Sequence, residues 1–470
     1  MNKFYITTAI PYVNGLPHVG HSLEYFQADT IRRYYQLQGY KTLLLSGADE
    51  NALKNIHAAE KEGIPVQDFL DRNSKIWEDT YKLLGIKLDV FQRGSDKEKH
   101  WPGVQKLWKL CESPGDIYKK EYVGFYCIGC ESFKTKVELI NGLCQIHQTK
   151  PDNVKEENYF FKLSKYQEKL IQLIESGELK IIPENKKQEA ISFVKSGLED
   201  FSISRSNERA KDVGVPVPED ESQKIYVWFD ALAIYLTGIG FGWNKENFKK
   251  WWPADLHIIG KDINRFHTVY WPAMLLSAGL PLPKQILIHG FVNLKGEKIS
   301  KSVGNVIAPE EITQKYGVEA LRYFMLSQIP TDSDGDFSIE RFKEVYNADL
   351  ANGLGNLVAR IAKLCEQNNI VSENDSNNLS SNVEKKLLEY KFNEALSTIW
   401  LRIAETDKKI NETKPWELSG EKAKEILQDL VEKIQQIAFD LQIFLPETSA
   451  KILKQFSGQI KSSPPLFPRI

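Results

Sequence analysis

KFYITTAIPYVNGLPHVGHSLEYFQADTIRRYYQLQ, residues 3–38, decides the fold. Lys3 to Ile10 is rich in Phe, Tyr, Ile and Thr, which favour a buried strand. Pro11, Asn14, Gly15 and Pro17 then break the strand and force a turn. From His21 onward Leu23, Phe26, Ile31, Tyr34 and Leu37 recur at roughly helical spacing. The stretch therefore predicts strand, turn, helix, with His18 and His21 at the turn-to-helix junction. A helix start offers unpaired N–H groups and the positive end of the macrodipole, and so attracts phosphate. Two imidazoles there add donors for the same anion. In isolation the pair equally suits two polar residues capping a helix.

The totals bound the answer. At 470 residues the chain has room for roughly two to four domains. An apolar share of 42% with 11% aromatics supports packed cores and excludes disorder. A net charge of −2 excludes a protein that coats nucleic acid by bulk charge; any such partner is held by local basic patches. No charged-then-apolar leader and no apolar run of about eighteen residues is present, so a soluble, cytoplasmic protein is expected, with no membrane contact.

Further along, KTLLLSGADEN predicts a second parallel strand with Asp49 at its carboxyl end, where doubly wound sheets bind ligands. Asp49 there meets a substrate ammonium or ribose, or simply closes a turn. Residues 52–113 read as mostly helical, with Leu70, Trp77, Tyr81 and Leu84 on one face. In YVGFYCIGCESFKTKVELINGLCQIHQTKP, Cys127 and Cys130 form C-x2-C, and after thirteen residues Cys144 and His147 form C-x2-H. Two such pairs complete a closed tetrahedral zinc site, which is structural because no position is left for water. Buried unmetallated cysteines are the alternative. Cys111 and Cys365 sit among apolar helical neighbours and read as core. Arg205, in ISFVKSGLEDFSISR, reads as a solvated surface arginine, and residues 207–222 as a connection.

The α/β pattern returns with strands expected at Lys224–Val227, Leu256–Ile259 and Ile286–His289. Tyr12, Trp228, Tyr235, His267 and Trp271 lie near strand ends and are candidates for one aromatic-walled pocket, although any one of them alone reads as core. GFVNLKGEKISKSVGN follows, placing Lys298, Ser300 and Lys301 in a loop between Gly296 and Gly304, with ammoniums and hydroxyls to offer phosphates. From Ala308 the patterning is helical almost to the end, including amphipathic helices at Ala351–Cys365 and Lys385–Ile410.

HVGH, KISKS, the Cys/His knuckle and the helical tail, in this order, resemble the methionyl-tRNA synthetase family of class I aminoacyl-tRNA synthetases. TTAIPYVNG, YVWFDAL, IIGKDINRFHTVYWPAMLL, GEKISKSVGN, DLANGLGNLVAR and FLPET match that family, and the likeness spans nearly the whole chain. The resemblance implies an α/β protein: a Rossmann-like parallel-sheet catalytic domain (1–114 and 223–290) split by a zinc-knuckle insertion (115–222), then a KISKS and stem-contact region (291–345) and an all-α anticodon-binding bundle (346–470). It implies methionine activation with ATP and Mg2+, and transfer to tRNA(Met). By position, Ile10, Tyr12, Asp49, Trp228, Ala231, Tyr235, Asp262 and His267 match methionine-binding residues. His18, Gly20, His21, Lys298, Ser300 and Lys301 match ATP-handling residues. Asn356, Arg360 and Trp416 match residues that read the anticodon, and Cys127, Cys130, Cys144 and His147 match a single-zinc site.

Two departures stand out. Asn51 and Ala52 occupy positions where the family usually has His and Gly, and Asn264 stands where an apolar residue is usual. Without an extra C-terminal oligonucleotide-binding domain, a monomer is expected. The insertion is too small for the hydrolytic domain of the branched-aliphatic synthetases, and cysteinyl enzymes need an open metal position. A non-catalytic tRNA-binding scaffold is the reading from another class; the intact His18, His21, Lys298 and Lys301 argue against it.

Overall fold

The computed structural model describes residues 2–127, 132–134, 139–145, 148–294, 296–298, 306–373 and 378–470. They form two compact units. The first comprises residues 1–17 and 38–288; the second comprises 18–37, which include helix α1 (His21–Leu37), and 289–470.

The first unit is built on a six-stranded sheet of β1 (Lys3–Thr7), β2 (Lys41–Ala48), β3 (Val90–Arg93), β4 (Lys180–Ile182), β5 (Leu256–Gly260) and β6 (Gln285–His289), in the spatial order β3-β2-β1-β5-β6-β4. β1 pairs in parallel with both β2 and β5. Phe4 to Thr7 and Leu43 to Ala48 are buried without interruption, as strands covered on both faces must be. Strand order reverses at β1, so the crevice beyond the carboxyl ends of β1, β2 and β5 is the switch point at which such sheets bind ligands. Tyr5, Leu45, Trp108, Phe229, Leu236 and Trp271 belong to one buried cluster; Ile181, Ile259, Ile286 and Ile288 belong to another.

Three details differ from the periodicity. β3 lies inside the stretch expected to be mostly helical, and β4 lies inside the expected insertion yet pairs in parallel with β6. Lys224–Val227 is not a strand of the main sheet. Asp220–Ile225 runs antiparallel to Ser204–Ser206 in a separate three-stranded sheet, and Val227–Thr237 is already helix α2. A π-helical turn, Phe266–Tyr270, then leads into α3 (Trp271–Ser277).

In the second unit α1 packs against α4 (Val318–Gln328). Arg322 of α4 is buried. Its guanidinium donates to Asp29 Oδ2 at 2.6 Å, Thr30 Oγ1 at 3.1 Å and the carbonyls of Phe444 at 2.5 Å and Ile443 at 3.2 Å. Burial alone pushes the Asp29 carboxyl up, but the guanidiniums of Arg322 and Arg33 outweigh it and hold it below the usual range. The helices α5 (Asn356–Gln367), α6 (Phe392–Thr413) and α7 (Glu421–Leu441) follow. The expected helix from Lys385 to Ile410 is two, Ser381–Leu388 and α6, because Tyr390 takes a left-handed φ of 59° between them. Among the described residues, no helix is long and apolar enough to cross a membrane.

Candidate active site

At the switch point the turn after β1 is tied to the end of β2: Asp49 N donates to the Pro11 carbonyl at 2.9 Å, and Tyr12 and Asp49 form a parallel bridge. The proline-rich turn thus holds Tyr12 beside the one carboxylate singled out at a strand end. Tyr12 meets Trp228 edge-on with centroids 6.3 Å apart, and Trp228 stacks flat on Phe266 at 3.6 Å. Ile10, Tyr12 and Trp228 pack on the cluster that contains Leu232, Tyr235 and Trp271, and Ala231 is buried on the same helix as Tyr235. Asp262 is exposed, in the turn just beyond β5.

Tyr235 and His267 form the buried end of this site. His267 Nδ1 lies 3.0 Å from the Ile263 carbonyl and must donate, so Nε2 is the bare nitrogen and accepts from the Tyr235 hydroxyl at 2.8 Å. Burial holds the His267 pKa down, to about 4, against the smaller pull of that carbonyl. His257 of β5 is a second buried imidazole. Its Nε2 accepts from the Trp271 indole at 3.3 Å, so Nδ1 carries the proton and donates to Thr7 Oγ1 at 2.5 Å. Its ring lies 4.5 Å from that of Tyr235, and burial pushes its pKa well below the ordinary value. Neutral imidazoles among Tyr and Trp rings make surroundings that favour a polarizable, uncharged group.

A polar network joins the residues that follow β2 to α2. Glu50 is buried and accepts from Ser74 Oγ at 2.5 Å, Arg93 Nε at 2.8 Å and Ser95 N at 2.9 Å. Asn51 Nδ2 donates to the Gly94 carbonyl at 2.9 Å and to Asp230 Oδ2 at 2.6 Å. Asp230 Oδ1 lies 2.6 Å from His100 Nε2. Arg205 is not a surface arginine: it is buried, donates to Ser202 Oγ at 2.8 Å and the Ser204 carbonyl at 2.6 Å, and lies 4.4 Å from the Tyr226 ring. Asn264 is also buried and accepts from the Thr268 hydroxyl at 3.1 Å.

His18, Gly20 and His21 belong to the second unit. His18 N donates to His21 Nδ1 at 3.0 Å and Gly20 N donates to His18 Nδ1 at 3.2 Å, with the two rings 3.8 Å apart. Both Nδ1 atoms are acceptors, so each neutral ring carries its proton on Nε2. Val19 N donates to the Ile307 carbonyl at 2.8 Å. HVGH is therefore fastened to the chain just beyond KISKS. At the other flank, Lys298 pairs with Asn293 in a hairpin. Ser300 and Lys301 lie outside the described residues.

Also in the second unit, Asn356 is exposed at the start of α5, and Arg360 follows one turn later. Arg360 forks onto Asp407 Oδ1 at 2.6 Å and Asn411 Oδ1 at 2.7 Å of α6. Trp416 follows the end of α6 in the turn Pro415–Glu417 and is 50% exposed, unusual for so large a ring. The fork brings α5 to the end of α6 that Trp416 extends.

Cys127 ends a long strand (Ile117–Cys127), and Cys144 ends the hairpin strand Leu143–Cys144; both thiols are buried. Cys130 and His147 lie outside the described residues, and among the described residues no three ligand groups cluster for a metal.

Sequence reasoning missed Phe266, His100 and the Asn51–Asp230 bond. The first carries a signal, since it opens FHTVY and stacks one aromatic on another; the others are long-range pairings with no local signature.

The chain matches the family of tRNA synthetases class I (M) over residues 4–138 and 129–362. It is similar to the methionine–tRNA ligase of Clostridium acetobutylicum, 41% identical over 97% of this chain and 74% of the relative. With that of Thermotoga maritima it is 39% identical over 98% and 76%. Among solved structures, the methionyl-tRNA synthetase of Mycobacterium tuberculosis in complex with methionyl-adenylate is similar at a TM-score of 0.92 and 36% identity, with both chains covered completely. The parallel-sheet core, the aromatic site at its switch point and these likenesses agree: the chain belongs to the methionine–tRNA ligases of the class I tRNA synthetases.

Proposed function

We propose that the chain activates methionine with ATP and transfers it to tRNA(Met), with the residues above in the following roles. The observation that supports the assignment is the group of side chains at the switch point: Tyr12 bridges to Asp49 beyond the parallel strands and meets Trp228 edge-on, and Tyr235 bonds His267.

Asp49 fixes the methionine ammonium, and Ile10, Tyr12, Trp228, Ala231, Tyr235 and His267 surround the thioether side chain, with Asp262 at the rim. A carboxylate oxygen of methionine attacks the α-phosphorus of ATP, and the bond to pyrophosphate breaks. No protein nucleophile is needed; positioning and charge stabilisation suffice. The Nε2–H groups of His18 and His21 donate to phosphate oxygens as charge develops, and Gly20 lets the backbone approach. Lys298, Ser300 and Lys301 hold the departing pyrophosphate, with Mg2+ accompanying ATP. A hydroxyl of the tRNA's terminal adenosine then attacks the activated carbonyl and AMP leaves. Trp416 stacks on an unpaired anticodon base while Asn356 and Arg360 bond base edges.

One structural Zn2+ is held by Cys127, Cys130, Cys144 and His147. The buried thiols of Cys127 and Cys144, each at the end of a strand, suit such ligands. With four protein ligands the ion fixes the fold of its segment and activates no water.

The test is aminoacylation. A tRNA(Met) transcript with its CAU anticodon should be charged with methionine in the presence of ATP. Failure of folded protein to charge it, or charging with another amino acid, would contradict the reading.

A further inference from the structure

We propose that Asn51 is a positioning residue for methionine, acting through the buried carboxylate of Asp230; the inference rests on the activation reading above. Asn51 follows Asp49 and Glu50 at the end of β2, and Asp230 precedes Ala231 on α2. The bond between them ties the strand end that carries the ammonium partner to the helix that carries Trp228, Ala231 and Tyr235.

The tie is built, not incidental. Asn51 Nδ2 has two oxygens at bonding distance, Gly94 O and Asp230 Oδ2, and this pair fixes which end of the amide faces them. Gly94 is locked in its turn. Its N donates to the Ala48 carbonyl at 3.0 Å, and its own carbonyl also accepts from the Trp101 indole at 3.1 Å. A Cβ added there would sit 3.1 Å from Ala48 O and 3.3 Å from Glu50 N. Asp230 is 1% exposed, and its second oxygen is engaged by His100, which is fully buried and itself bonded to Thr237 Oγ1 at 2.8 Å. The carboxylate therefore cannot turn to find another donor. Without the Asn51 amide, one oxygen of a buried carboxylate loses its donor, and the strand end and helix separate to let water in.

Asn51→Asp is the sharpest variant, because it keeps the shape, deletes the donor and sets two carboxylates against each other. Asn51→Ala deletes the donor alone, and Asn51→His supplies another N–H. Active-site-titrated enzyme is assayed by pyrophosphate exchange, and each variant's Tm is measured. The KM for methionine should rise roughly tenfold in Asn51→Ala and further in Asn51→Asp, with the KM for ATP within about twofold of wild type. The Ki of L-methioninol, which keeps the ammonium and thioether and lacks the carboxylate, should rise by the same factor. Asn51→His should recover most of the affinity. A purely structural role would lower Tm or the active fraction and leave the methionine KM alone. An unchanged methionine KM in Asn51→Asp, with exchange intact in wild type, would overturn the inference while leaving the function standing; absent exchange in wild type would instead overturn the function.

Discussion

The Val19 amide donates to the Ile307 carbonyl at 2.8 Å, joining the heart of HVGH to the chain that leaves the KISKS loop. Two segments far apart in sequence thus share one backbone bond within the second unit. On the proposed reading, Lys301 and the two histidines serve the same nucleotide. Lys301→Ala should slow adenylate formation by roughly 10²–10³, the usual cost of losing one preorganised charge donor. Single-turnover quench measurements would show it; an unchanged rate would remove Lys301 from the chemistry.

Anticodon reading should separate from activation. Trp416→Ala should weaken tRNA charging by about 1–3 kcal/mol of lost stacking and spare pyrophosphate exchange. Equal damage to both reactions would contradict the stacking role.

Acid should destabilise the first unit before it weakens methionine binding. The folded His267 pKa is lowered to about 4, below its ordinary 6.5, so the unfolded chain binds the proton first as pH falls. The stability that neutral His267 provides is complete above about pH 6.5 and is lost as pH falls toward about 4, a span worth roughly 3 kcal/mol. His257 shifts in the same direction and adds to the loss. Denaturant midpoints should therefore fall from pH 7 to 5, while methionine affinity of the still-folded protein stays level because the Tyr235 hydroxyl keeps its acceptor. Affinity that falls tenfold over that range would show that His267 titrates near its ordinary value.

The Arg322–Asp29 pair should matter to stability in one direction. Arg322→Ala leaves Asp29 buried beside Arg33 alone, and removing one partner of a buried pair costs about 3–5 kcal/mol. Equilibrium unfolding monitored by circular dichroism measures this; a change below about 1 kcal/mol would mean that water or Arg33 satisfies the carboxylate.

Purified protein should carry one zinc per chain by elemental analysis. Cys144→Ser should lose the metal and increase proteolysis within residues 122–150. Stoichiometric zinc in that variant would remove Cys144 from the ligand set.

Much of this was legible in the residues. The strand–turn–helix of residues 3–38, the strands at Leu43, Leu256 and Ile286, and the aromatic set around Tyr235 all follow from local pattern, because parallel strands are apolar runs and loops carry Gly and Pro. β4 was not, since three residues of Lys-Ile-Ile carry too little pattern to separate a strand from a helix end. Arg205 misled because a charge reads as solvent-facing. Its burial depends on the rings of Tyr226 and Tyr126, which only the folded chain brings to it. Asn51, Asp230 and His100 come from three segments, and no spacing rule links them.

The central claim is that this chain joins methionine to AMP, and exchange of labelled pyrophosphate into ATP tests it most directly. Folded protein should catalyse exchange only when methionine is present, and far more slowly when Lys301 is alanine. Exchange that is absent, or that proceeds equally without methionine, would contradict the account.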